Sequence, residues 1–394
     1  MSITAQKKLK YCSKTSKMSS IKVSNEQYFV CLQQLNTIYR SMLSKKQQVI
    51  IDFVQANQPV DRPTIYAEVN ELMGDSTLRR LLLEMTPELI KANGLGKART
   101  YSISDSYELF APVDLEAYYN LLPEERNAKK TFNLNLIPNT LSQVELFTDT
   151  EMEHLNTLHA KYTKNIAPLS KNEYKNELEI LAIDLSWKSG EIEGNTYTLL
   201  ETEVLLKYRE LAEGKKQEDA IMLLNHKDAL DFIIAEPDYL NPLTIRSIED
   251  IHSILIQKLG VERNIRKRGV GVGGTDYKPL SVHVQIVDVM QQMCDLVNSR
   301  DNVFEKALLL LVLLSYIQAF NDGNKRTARI ISNAILMENG YCPLSYRSVK
   351  ASDYKKAMLL FYEQNNITEF KNIFIGQYEY AVNKYFNLDP EITE

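Results

Sequence analysis

Cysteine is scarce in this chain, and the few present stand apart. Cys12, Cys31, Cys294 and Cys342 form no Cys-x-x-Cys pair. That excludes a disulfide-built scaffold or a zinc ribbon and fits a reducing compartment. The five histidines do not cluster, so no transition-metal centre is expected, and His226 and His252 read as ordinary core or surface residues. No Walker A motif occurs anywhere. The longest wholly apolar run, 307–314 (ALLLLVLL), is too short to cross a bilayer and reads as a buried central helix. The start, MSITAQKKLKYCSK, is basic but has no apolar h-region, so it is not a secretory signal. These absences lead to the expectation of a cytoplasmic protein without a membrane partner.

What is present suits two or three globular domains: 394 residues, 44% hydrophobic and 25% charged. Charge is uneven. Residues 1–105 carry 15 Lys/Arg against 9 Asp/Glu, and the remainder 31 against 42. A basic module on an acidic body suits a polyanion at one end; a solvated basic tail is the plainer account.

Residues 1–43 read as a polar tail followed by one helix within 25–43. Residues 44–105 read as a winged helix-turn-helix-like module. KKQQVIIDFVQAN places Val49, Ile50, Phe53 and Val54 on one helical face. Asp61 caps a second helix with Pro63 in its first turn, and Ser76 caps a third. ELIKANG, a GLGKAR tip and TYSIS make a wing. In such modules the third helix enters the major groove and the wing touches phosphate, with Arg79, Arg80, Lys91, Lys97 and Arg99 as the contacts here; a protein contact is the open alternative. Residues 106–150 read as a connecting segment. Residues 151–386 repeat apolar residues at three- and four-residue spacing, which predicts a mainly α, all-helical domain of six to eight helices around the 304–320 segment.

The chemistry gathers at 318–329, Gln-Ala-Phe-Asn-Asp-Gly-Asn-Lys-Arg-Thr-Ala-Arg. Gly323 and Asn324 open a helix, whose free N–H groups and positive dipole end suit phosphate. Lys325, Arg326 and Arg329 add charge, and Asp322 suits one position of a Mg²⁺ shell shared with phosphates. Together they suit a nucleoside triphosphate or diphosphate. A second Gly-rich segment, Gly269 to Thr275, formally fits G-x-G-x-x-G, but no buried strand precedes it and no helix follows, so residues 266–280 read as a β-hairpin-like flap.

The 318–329 stretch resembles the signature of the Fic family, His-x-Phe-x-(Asp/Glu)-Gly-Asn-(Gly/Lys)-Arg-x-x-Arg. Every fixed position matches except the first, where Gln318 stands for the catalytic histidine. The resemblance implies transfer of AMP from ATP, with Mg²⁺, onto a Ser, Thr or Tyr hydroxyl of a target protein, with Asn324 and Arg326 at the catalytic centre. It implies that the flap, through Val270, Val272 and Tyr277, aligns the target's backbone, and that Tyr354 and Asn365 bracket the adenine. Ser189-Gly-Glu-Ile-Glu193-Gly194 is similar to the family's inhibitory motif, (Ser/Thr)-x-x-x-Glu-(Gly/Asn), and implies Glu193 paired with Arg329. A Gln amide cannot usefully take the hydroxyl proton. A weak or specialised adenylyltransferase, a nucleotide-binding pseudoenzyme acting as a DNA or partner regulator, and removal of AMP or phosphorylation on the same scaffold therefore all stand open. So does homo-oligomerisation.

Overall fold

The computed structural model describes residues 43–126 and 128–386. Residues 1–42, and with them the helix expected within 25–43, lie outside the described residues, as do residue 127, residues 387–394 and the side chain of Lys97.

Residues 45–103 build a small module with its own core. α1 (Lys45–Asn57), β1 (Val60–Asp61), α2 (Arg62–Val69), α3 (Asp75–Met85), β2 (Ile90–Asn93) and β3 (Thr100–Ile103) follow in order, and the strands pair antiparallel as β1-β3-β2. Local signals explain the helices. Ser44 and Gln47 cap α1 reciprocally, and Asp61 accepts the Thr64 N–H at 2.9 Å. Leu78, Leu81, Leu82 and Met85 share one face of α3 and are buried. Ile50, Ile51 and Val54 carry the buried face of α1, with Val49 and Phe53 only partly covered. α3 starts one residue before Ser76, with Gly74 at its N-cap and Asp75 in its first turn, where a carboxylate meets the positive dipole end. At the wing tip Gly94 has φ +77°, and a Cβ there would stand 2.8 Å from the Ala98 carbonyl oxygen. Only glycine fits.

Two short helices, α4 (Asp105–Phe110) and α5 (Leu115–Asn120), lead into tight turns that run to residue 148. This connecting segment packs into the body. Leu109, Phe132, Leu136, Ile137, Leu141, Leu146 and Phe147 are buried in the main core. Tyr118 donates to the buried Glu363 at 2.7 Å, and Arg126 pairs with the same carboxylate at 3.3 Å.

Ten helices follow: α6 (Asp149–Ile166), α7 (Lys171–Ile192), α8 (Leu199–Tyr208), α9 (Gln217–Ala235), α10 (Ile245–Leu255), α11 (His283–Ser299), α12 (Val303–Ile317), α13 (Asn324–Glu338), α14 (Ala351–Gln364) and α15 (Thr368–Lys384). The count exceeds the expected six to eight because α14 and α15 bury residues on most of their circumference. A helix covered on all sides leaves no single apolar stripe to find. α12 is the axis, and nearly all of it is buried. No helix among the described residues is long and apolar enough to cross a membrane.

The flap is less regular than a hairpin. Residues 266–280 carry no strand, only an isolated parallel bridge between Lys278 and Thr131. Arg266 holds the flap in shape: its buried guanidinium donates to the carbonyl oxygens of Arg268 (2.7 Å) and Leu280 (2.5 Å).

One buried cluster ties the far end of the chain to α7. The Asp184 carboxylate accepts from Arg347 at 2.6 and 2.7 Å and from the Tyr385 hydroxyl at 2.6 Å. Asp184→Ala should lower unfolding stability by about 1–3 kcal/mol, since it strands two donors. Urea denaturation checks this: the midpoint should fall with the slope unchanged, and an unmoved midpoint would refute it.

Candidate active site

α12 ends at Gln318, which takes the left-handed conformation (φ 52°, ψ 54°) and turns the chain back toward α13. The next six residues are closed by side chains. The Asn324 carbonyl oxygen accepts the Phe320 N–H at 2.8 Å, and its amide donates to the Phe320 carbonyl at 2.8 Å and to Gln318 Oε1 at 3.1 Å. The Gln318 amide donates to the Ser315 carbonyl at 2.6 Å. Gly323 caps α13 at φ +85°, and a Cβ there would lie 3.3 Å from the His252 ring. His252 stacks on Phe320 with centroids 3.7 Å apart, and its Nε2 lies 2.8 Å from the Asp322 carbonyl oxygen. His252 is thus part of the loop's support, and burial lowers its pKa. His226 sits in the core with its Nδ1 3.2 Å from Ser186 Oγ, and burial holds it well below the usual imidazole range.

The first two turns of α13 present the cations. Lys325 reaches Glu193 at 3.4 Å, Arg326 pairs with Asp322 at 2.8 Å, and Arg329 pairs with Glu193 at 2.9 Å. Arg329 has no solvent exposure. Its Nε donates to Ser189 Oγ (2.9 Å), its Nη2 donates to the Ser189 carbonyl (3.2 Å) and its guanidinium lies over the Tyr354 ring at 5.4 Å. Glu193 is the C-cap of α7, with Gly194 behind it at φ +95°, yet it does not point into water: 20% of its side chain is exposed. Burial alone would raise the Glu193 pKa; Arg329 and Lys325 outweigh it and hold the carboxyl below its usual range.

The fold brings Gln318, Asp322, Gly323, Asn324, Lys325, Arg326, Arg329, Glu193 and Ser189 to one place, with Tyr354 beside Arg329. Asn365 lies elsewhere. It caps the far end of α14, accepts from the Asn133 amide at 3.1 Å and is buried. Eleven residues of helix separate it from Tyr354, about 16 Å of rise. The two therefore stand apart along one helix, with only Tyr354 beside Arg329. Of the flap residues, Tyr277 is buried and donates to the Tyr316 carbonyl at 3.0 Å, Val272 packs against the core and Val270 is half-covered.

Arg266 was not foreseen. It has no carboxylate partner among the described residues; besides the two flap carbonyls its Nε donates to the Gln318 carbonyl at 2.6 Å, and its own N–H donates to the Ala319 carbonyl at 3.0 Å. It thereby fastens the flap to the turn after α12. Four cations lie within residues 263–268, and only the packing singles out this one.

A Mg²⁺ ion shared with phosphates needs few protein ligands and keeps most of its waters. Asp322 fits that demand, with 62% of its side chain exposed. No group of three His, Cys, Asp or Glu gathers among the described residues, so no all-protein cage exists there.

Residues 242–336 match the Fic/DOC family, a span that holds the whole turn and the cation-bearing helix. Over that span the chain is similar to the Fic/DOC family. Two relatives, each named protein adenylyltransferase Fic, come from Nematostella vectensis (32% identical over 43% of this chain and 40% of that protein) and Drosophila willistoni (30%, over 41% and 33%). The chain therefore spans well under half of those relatives' length. In structure it is similar to a Fic domain containing signaling protein from Bacteroides thetaiotaomicron (TM-score 0.50, 22% identity, covering 58% of this chain and 94% of that one). It is also similar to Fic-1 from C. elegans (TM-score 0.52, 18% identity, 59% and 71%). At those identities the likeness is one of fold, and it agrees with a mainly helical Fic domain.

The Glu193 clamp has a pH signature. A carboxyl held below its usual pKa contributes stability that is full above the unfolded value and is lost as pH falls through the folded one. Glu193→Gln should cost about 1–3 kcal/mol near neutrality, the partial exposure of Glu193 keeping it modest. The gap between wild type and variant should narrow as pH falls from the ordinary carboxylate value, about 4, and close once pH is below the lower folded value. Guanidinium unfolding across pH checks this, and a gap independent of pH would contradict it.

Proposed function

We propose that this Fic protein is a self-restrained adenylyltransferase, which moves AMP from ATP to a hydroxyl side chain of a target protein. The observation that carries the reading is the pairing of buried Arg329 with Glu193, beside an anion-ready helix start. Lys325, Arg326 and the free N–H groups at the start of α13 suit the phosphates. With Glu193 in place, the Arg329 cation is spent on a carboxylate whose own charge repels a γ-phosphate, so ATP takes an unproductive pose. With Mg²⁺ held by Asp322, the ion would offset phosphate charge. In the transfer the target's hydroxyl oxygen bonds to the α-phosphorus, the bond to the β-phosphate oxygen breaks, pyrophosphate leaves and the hydroxyl proton passes to water.

Gln318 stands where a base is needed. Its carbonyl oxygen accepts from Asn324 and its amide is held by Ser315, so it is oriented but cannot bind a proton usefully. Loss of general base catalysis costs about 10²–10⁴-fold, and positioning and charge supply what remains. This same observation favours a second reading, a nucleotide-binding scaffold that no longer transfers AMP.

Incorporation of label from α-³²P-ATP by wild type, Glu193→Gly, Gln318→His and the double variant separates the two. Label with Glu193→Gly while Gln318 is intact supports transfer without the histidine, and Gln318→His should then raise it by about 10²-fold or more. Label only when both are changed points to the scaffold. Label in none of the four refutes the transferase reading.

A further inference from the structure

The N-terminal module carries a cleft of about 770 Å³ between α3 and the wing, away from the residues that bind nucleotide in the reading above. Its floor is apolar, with Leu82 and Tyr101 almost wholly buried. Its walls are cationic, with Arg62, Arg79 and Arg99 among the lining residues. Arg62 and Arg79 share one carboxylate, Asp75, and Arg99 has no ion-pair partner among the described residues, so the cleft keeps an excess of positive charge. The rim is greasy: Leu83, on the outer face of α3, is 77% exposed, and Leu95, beside the lining residue Gly96, is 82% exposed.

This combination suits DNA poorly. α3 carries Asp75, Arg79, Arg80 and Glu84, a formal charge of zero, and both arginines are already paired within the helix at 3.1 and 2.8 Å. Lys91 is paired with Asp105 at 2.8 Å. Tracking a phosphate backbone needs cations free to displace counterions, and two carboxylates on the approaching helix oppose it. A leucine at the prow of that helix gains by covering with apolar surface.

We infer that the α3–wing cleft docks a segment of a partner protein that combines carboxylate side chains with leucine-like ones. The carboxylates meet Arg99, bidentately where the fork of the guanidinium allows. The apolar side chains cover Leu83 and Leu95 and enter the cleft over Leu82 and Tyr101. The inference concerns binding alone and stands whether or not AMP is transferred.

The test uses the full chain and a synthetic array of short peptides in which Glu or Lys and Leu or Ser are exchanged at fixed positions. Hits are confirmed in solution by fluorescence anisotropy, with a labelled DNA duplex run in parallel. Retention should require both Glu and Leu. Leu83→Ser and Arg99→Gln, both at exposed positions, should each weaken the Kd by about tenfold. Arg99→Glu should shift preference toward the Lys-bearing peptides, a gain that misfolding cannot mimic. Three results would each overturn the inference: no peptide bound at all, peptide binding indifferent to all three substitutions, or salt-sensitive binding of the duplex that Arg99→Gln abolishes.

Discussion

A helix as apolar as Val303–Ile317 must be covered on every side, and the candidate site follows from how that helix ends. Its last carbonyls cannot be left bare inside a protein. The chain solves this by throwing Gln318 into the left-handed region and closing the turn with Asn324, while Arg266 donates to the Gln318 carbonyl from the flap side. α13 then starts at a fixed place and angle, with its N–H groups and three cations beside the end of α12. The same contacts satisfy a buried backbone and shape the candidate site.

Buried charge is the second constraint. Arg329 lies wholly out of water, and a guanidinium there is tolerated only with partners. Glu193 and Ser189 are those partners, and they come from the end of α7. In the reading advanced for this site, restraint is therefore stored in an ordinary requirement of folding. On that reading, the pair that gives a buried arginine its carboxylate would also keep it from a phosphate. Release needs a competing anion, or a movement of the α7 terminus, that offers Arg329 as much as Glu193 does.

The N-terminal module obeys different rules. Its core is small and built from three helices and a short sheet, and its outer face mixes paired charge with exposed leucines. A basic composition over residues 1–105 points to a polyanion, but six of those lysines lie within the first 22 residues. On the folded part, intrahelical pairing cancels much of the charge. Charge totals alone do not show which cations stay free.

Much was readable from residues in order. The 318–329 stretch named the turn, the cations and the missing base, because those groups act through backbone and side chains a few residues apart. The Ser189–Gly194 motif pointed to Arg329 only through resemblance, since nothing in a linear sequence brings residues 193 and 329 together. Three things needed the tertiary structure. Arg266 could not be told from its cationic neighbours until packing buried it alone. His252 became part of the site only by stacking on Phe320. Tyr354 and Asn365, neighbours on one helix in sequence, were separated by its rise, one toward Arg329 and one toward Asn133. Local chemistry is written in short spacings. Burial, and the partner each buried charge must find, depends on the path of the whole chain, which only the fold decides.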